Sequence, residues 1–187
     1  MAAVCRRVEA RRPDPKTAVG ALGDGATWIW EGYAAHLPNR VEILDFYHVL
    51  EHVGVVAAAM HGEGGDPGAW RKRMKKNLLR YGPRSLLRSL RQWRPTSPEA
   101  VEVRRRELGY FARNEQRMDY PTYLKQGLPI GSGAVEGACK HLVADRFRGA
   151  GMRWNAETAE PVLHLRAALL THPHLDLRPY AAHAATA

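Results

Sequence analysis

Twice in this chain a short run of strand-forming apolar residues ends on an aspartate and gives way to helical periodicity, and this pattern limits the folds open to it. The first instance is "TAVGALGDGATWIW". An apolar strand runs into a Gly-Asp-Gly turn at Asp24, and an amphipathic helix follows over about Thr27 to His36. After the turn "LPNR", "VEILDFYHV" reads as a second strand, with Val41, Ile43 and Leu44 apolar and with Asp45 and His48 at its carboxyl end. Strands alternating with helices predict an α/β unit, and such units bind ligands beyond the carboxyl ends of their strands. Asp24 and Asp45 both fall there.

The remainder reads as helical. Ala2 to Arg12 predicts a short helix ended by the two prolines of "RRPDPK". Helical signals run from Val49 to about Ser97, interrupted by "HGEGGDPG". Between Asp66 and Glu99 stand ten basic residues and no acid: Arg71, Lys72, Arg73, Lys75, Lys76, Arg80, Arg84, Arg88, Arg91 and Arg94. Leu78, Leu79, Leu86, Leu87 and Leu90 recur near helical spacing, so one face can pack while the other stays basic, either as a solvated surface or as a phosphate contact. A further helix is expected from Pro98 to about Arg117, capped by Ser97 or Thr96 with Glu99 in its first turn. "MDYPTYLKQGLPIGSG" is rich in Pro, Gly and Tyr and predicts an irregular surface connection. "AVEGACKHLVADRFRG" and "WNAETAEPVLHLRAALLT" predict two last helices, the second capped by Asn155 and carrying Pro161, before a frayed tail after Pro173. The segments expected are thus 1–17 (helix and linker), 18–48 (strand core), 49–128 (basic helical insertion), 129–172 (C-terminal helices) and 173–187 (tail).

A chain of 187 residues has room for one domain with a core, or one domain with a helical insertion. Hydrophobic residues at 45% and charged residues at 25% exclude a disordered or collagen-like chain. No apolar run approaches the roughly 20 residues of a membrane helix, and "MAAVCRRVEARRPDPK" lacks the apolar centre of a signal peptide, so an intracellular protein without a membrane partner is expected. Cys5 and Cys139 form no C-x-x-C pair, which fits a reducing compartment. The net charge of +9 favours a polyanionic partner, of which nucleic acid is the commonest.

Three acids are placed for chemistry: Asp24 and Asp45 after the strands, and Glu136 in the first turn of the helix entered by "IGSGAVE". Carboxylates gathered this way hold Mg²⁺, a hard ion that prefers oxygen ligands and, in pairs, serves phosphodiester chemistry. Each acid alone is equally a turn or cap residue. His48 could be an outer ligand, a proton carrier or a phosphate contact, or could be structural. Lys140, His141, Arg146, Arg148 and Arg153 follow Glu136 and could clamp a phosphate backbone beside it. Trp28, Trp30 and Trp154 are more readily core residues than base-stacking ones. "DFYHVLEH" also spells H-x-x-E-H, a zinc-peptidase pattern with His48 and His52 as ligands, Glu51 as base and a downstream acid such as Glu136 as third ligand. That alternative leaves the basic segment and the Asp24 turn unexplained.

In order, "LGDGATWIW", "ILDFYHVLEH", "NEQRMDYPTYLKQGLPIGSGAVEGACKHLVADRFRGAGMRWN" and "VLHLRAALL" resemble the C-terminal part of the ISKra family of bacterial insertion-sequence transposases, over about Ala18 to Leu170. The resemblance implies a DDE-type enzyme with an RNase H-like fold that cleaves and joins double-stranded DNA at transposon ends, in the bacterial cytoplasm, with self-association left open. It implies Mg²⁺ or Mn²⁺ held by three acids, of which Asp24 matches the second and Glu136 the last. Asp45 and His48 match an accessory D-x-x-H pattern near the active site. The family's first aspartate lies on an opening strand well upstream of the "DGA" turn, whereas here the only earlier aspartate is Asp14, within "RRPDPK". The fold expected is therefore α/β, an incomplete RNase H-like core with a largely helical insertion, in a copy truncated at its N terminus and unable to transpose alone. A non-catalytic DNA-binding remnant is the alternative.

Overall fold

In the computed structural model, β1 (Val19–Gly23) and β2 (Arg40–Leu44) pair in parallel, with Gly23 opposite Leu44, so both strands finish at the same edge. The structure describes residues 2–11, 14, 16–62, 65–171, 174 and 176. It divides into two units, Met1–Ser132 and Gly133–Ala187. The sheet and the larger core belong to the first.

The crossover between the strands is α2 (Thr27–His36), and it lies close because Gly23 lacks a side chain: a Cβ there would stand 2.9 Å from the Trp30 ring. The Tyr33 hydroxyl donates to the Leu22 carbonyl at 2.9 Å. On α1 (Ala2–Glu9), Cys5 is buried with Ala21 and Leu37 in a small separate cluster. The expected end of this helix at Arg12 lies outside the described residues.

β2 does not extend through His48 as its residues predict. The strand stops at Leu44, and Asp45 starts α3 (Phe46–His61), accepting the Tyr47 and His48 N–H groups at 2.8 and 3.0 Å. Those amides have no carbonyl one turn back to bond, so a carboxylate at the cap outweighs the strand propensity of "FYHV". His48 therefore stands in the first turn of a helix.

α3 packs against α4 (Pro67–Tyr81) and α6 (Pro98–Arg113), and α4 also against α5 (Arg84–Gln92) and α7 (Tyr120–Lys125). Trp70, Met74 and Leu78 line the buried side of α4, and Leu86, Leu87 and Leu90 that of α5. Burying each such leucine contributes about 1.5–3 kcal/mol. Ser97 caps α6 through its hydroxyl, which accepts the Ala100 N–H at 3.2 Å, and Glu99 occupies the first turn. The helix ends at Arg113, before a single 3₁₀ turn over Glu115–Arg117.

The stretch after Met118, expected to be irregular, folds into α7. Asp119 caps it, Pro121 fits its first turn, and Tyr120 and Tyr123 are buried. Both hydroxyls find backbone acceptors on β2, Tyr120 at Leu44 (3.0 Å) and Tyr123 at Glu42 (3.3 Å). A tyrosine can be buried when its hydroxyl has such a partner, which is how these rings become core.

In the second unit the helix expected after the Gly-Ser-Gly turn forms, with a π-type widening inside it. α8 (Gly133–Cys139) widens into one π-type turn over Lys140–Ala144 before the short α9 (Asp145–Phe147). Asn155 caps α10 (Ala156–Thr171), accepting the Thr158 N–H at 2.9 Å, and Pro161 lies inside it. Arg166 of α10 donates to the carbonyls of His141 and Leu142. The tail from Pro173 lies almost wholly outside the described residues. Among the described residues no helix is long and apolar enough to cross a membrane.

Candidate functional site

Parallel pairing in register puts Asp24 and Asp45 one residue beyond a paired position, and the Asp45 N–H donates to the Gly23 carbonyl at 2.8 Å. Asp24 and Asp45, which follow the two strands, are therefore neighbouring residues at the carboxyl ends of the sheet, as their sequence positions predict. Their environments differ.

Asp24 is exposed and accepts the Ala26 N–H at 2.9 Å on Oδ1, which fixes the turn into α2. Its carbonyl accepts the Tyr110 hydroxyl at 2.7 Å. Gly25 follows with φ +100°, and a Cβ on it would meet the Tyr110 ring at 2.7 Å. Only glycine suits both the left-handed conformation and the lack of space.

Asp45 is buried, and both of its oxygens are occupied. Oδ1 accepts from Tyr47 and His48, and Oδ2 accepts the Ser132 N–H at 2.6 Å. Burial pushes its pKa up, but hydrogen bonds from His48, Ser132 and Tyr47 outweigh this and hold the carboxyl below its ordinary range. Asp45 is a helix cap that also fastens the end of the first unit.

One turn along α3 from His48 stands His52, and their Nε2 atoms are 3.3 Å apart. His52 Nδ1 lies 2.6 Å from Oε2 of Glu107 on α6, and Arg106 Nε donates to the other oxygen at 2.8 Å. Tyr110 stacks on the His52 ring at 4.0 Å, with 15° between the planes. Burial raises the Tyr110 hydroxyl pKa, and the charges of Asp24, Glu107, Asp45 and Glu51 add to it. The carboxyl of Glu107 is opposed by burial yet lowered overall by hydrogen bonds from His52 and Arg106 and by their charges.

Glu107, Tyr110 and Asn114 were not legible as site residues, although α6 carried a signal. Glu107, Phe111 and Asn114 recur at i, i+4 and i+7, so two polar residues occupy the stripe that a helix normally reserves for apolar ones. His52, named in the sequence only as a ligand of the zinc-peptidase alternative, belongs to this cluster as well.

A resident Mg²⁺ or Mn²⁺ requires several oxygen ligands held together. Among the described residues no group of three His, Cys, Asp or Glu side chains could hold a metal ion. At the strand ends Asp45 is spent on backbone amides, so the residues there do not by themselves fit such an ion. Glu136, the third acid, is exposed in the first turn of α8 in the second unit.

The basic residues lie where a polyanion could reach them. On α4, Arg71 and Lys75 form one exposed row and Lys72, Lys76 and Arg80 the next, opposite the buried row of Trp70, Met74 and Leu78. On α5, Arg84, Arg88 and Arg91 form a third row along a hollow of about 410 Å³. None of the ten basic residues of this region pairs with a carboxylate among the described residues. In the second unit Lys140, His141, Arg146, Arg148 and Arg153 are exposed, and Glu136, Lys140 and Arg148 line one groove of about 510 Å³. His141 contacts Asp145 at 3.0 Å. Of the tryptophans, Trp30 is core, with Arg117 stacked 4.4 Å over its ring, whereas Trp28 is 65% exposed, contrary to the core role its sequence context predicts. Compared with family models, curated proteins and solved structures, the chain finds no match in any of the three.

Proposed function

We propose that this chain is a DNA-gripping part of a DDE-type transposase with an RNase H-like core, and that it does not join DNA strands by itself. The observation that carries the DNA-binding reading is the run of exposed cations on α4 and α5 that form no ion pair with a carboxylate among the described residues. Like charges spaced i, i+4 destabilise a helix by a few tenths of a kcal/mol per pair. A duplex laid along the rows relieves that repulsion and releases the counterions condensed on its phosphates.

The transposase part of the reading is supported by the parallel strand pair whose ends bring Asp24 beside Asp45, and by Glu136 set in a groove with Lys140 and Arg148. In this reading Asp24 in the first unit and Glu136 in the second are each candidate acids for phosphoryl-transfer chemistry, and Asp45 builds the strand end without binding metal.

Duplex binding by the whole chain tests the proposal. Sub-micromolar binding at low salt that weakens steeply as salt rises is the expected result, and absence of binding at low salt overturns it. Incubation with Mg²⁺ and a supercoiled plasmid is expected to give neither nicks nor joined products. Nicking that disappears in Glu136→Gln would instead make this chain an active nuclease.

A further inference from the structure

We propose that His48 and His52 form a binding site for one borderline-soft divalent transition cation, such as Zn²⁺, Co²⁺, Ni²⁺ or Cu²⁺. This site is separate from any Mg²⁺ chemistry at the strand ends and independent of the transposase reading. The two imidazoles stand one turn apart on α3, and their Nε2 atoms converge to 3.3 Å. Two nitrogens bound to one tetrahedral zinc at about 2.0–2.1 Å stand about 3.3 Å apart, so both rings already hold the separation that a shared ion imposes.

The other face of each ring is equipped to match. His52 Nδ1 meets the Glu107 carboxylate at 2.6 Å, and His48 Nδ1 meets Glu51 at 3.2 Å. A carboxylate that accepts a hydrogen bond from Nδ1–H leaves the lone pair on Nε2, orients the ring and makes it a stronger ligand. Glu107 is itself pinned through its second oxygen by Arg106, and Tyr110 stacks on His52, so the more buried ligand is held before any ion arrives. A cation bound by both Nε2 lone pairs relieves their mutual repulsion at this separation.

Two protein ligands leave positions for water, and affinity should follow the order Co²⁺ < Ni²⁺ < Cu²⁺ > Zn²⁺. Imidazole nitrogens give Mg²⁺ no advantage. The role that fits is a clamp on the first turns of α3, joined through Glu107 to α6. The peptidase pattern shares these two histidines but assigns Glu51 as base, whereas here Glu51 is the partner of His48 Nδ1.

Titration of the full chain with Co²⁺, followed by its visible absorption, tests the site, with Zn²⁺ competition and calorimetry to give the stoichiometry. One equivalent is expected to bind, to be displaced by Zn²⁺ and to survive excess Mg²⁺. His48→Ala, which leaves the His52–Glu107 pair intact, should abolish the Co²⁺ band, and Glu107→Gln should weaken binding about 10–100-fold. His36→Ala, an exposed residue at the end of α2, should change nothing. Unaltered Co²⁺ binding in a folded His48→Ala chain, or no binding by the wild-type chain, overturns the proposal.

Discussion

Nδ1 of His52 lies 2.6 Å from Oε2 of Glu107, a carboxylate only 1% exposed, so one hydrogen-bonded pair ties the second turn of α3 to α6 across 55 residues of sequence. Removing one partner of a buried pair strands the other. His52→Ala is expected to cost about 3 kcal/mol. Glu107→Gln keeps the shape and one acceptor and should cost about 1 kcal/mol. Urea unfolding midpoints measure both, and a His52→Ala chain as stable as the wild type would show that Arg106 alone satisfies Glu107.

Acid should weaken the fold through Asp45 and Glu107. Both carboxyls have folded-state pKa values below their unfolded ones, which are about 3.9 and 4.3. The unfolded chain therefore takes up these protons first as the pH falls. The stabilisation is complete above about pH 5 and is lost as the pH drops through the depressed folded values, below about pH 4. The slope of stability against pH between 5 and 3 should flatten in Asp45→Asn combined with Glu107→Gln. An unchanged slope would place the acid sensitivity elsewhere.

Gly25 should tolerate no side chain. Its φ of +100° and the 2.7 Å approach of a Cβ to Tyr110 make Gly25→Ala strained twice over, with an expected cost of about 2 kcal/mol or more. Tyr110→Phe relieves none of the backbone strain and loses only the hydroxyl bond to the Asp24 carbonyl, about 1 kcal/mol. Thermal unfolding of both variants, with Gly25→Ala the less stable, checks the ordering.

The cations of α4 should act on DNA and not on folding. Replacing Arg71, Lys72, Lys75 and Lys76 with alanine removes exposed side chains and leaves the row of Trp70, Met74 and Leu78 untouched. Stability should stay within about 0.5 kcal/mol per substitution. If each of the four contacts a phosphate, the logarithmic salt slope of duplex binding should fall by about 3–4. An unchanged slope would place the duplex on another surface.

The caps at Ser97 and Asn155, the two strands and the basic rows could be read along the chain, because each rests on residues close together in sequence. Ser97 and Asn155 cap the helices expected of them, and the leucines of α5 take the buried face that their spacing predicts. Two local readings failed, one to a cap on the adjacent residue and one to acceptors distant in the chain. The strand propensity of "FYHV" yielded to the cap supplied by Asp45, and the Pro- and Tyr-rich stretch became α7 because carbonyls of β2 could accept its hydroxyls.

What the sequence alone determined was which side chains face out with charge and which strand ends carry acid, since periodicity and turn chemistry are local. Only the tertiary structure decided what those acids and histidines do. Backbone amides from Tyr47, His48 and Ser132 engage Asp45, and α6, far along the chain, brings Glu107 and Tyr110 onto His52. A carboxylate's role depends on which donors reach its oxygens, and here the decisive donors include Ser132, 87 residues from Asp45, and His52, 55 residues from Glu107.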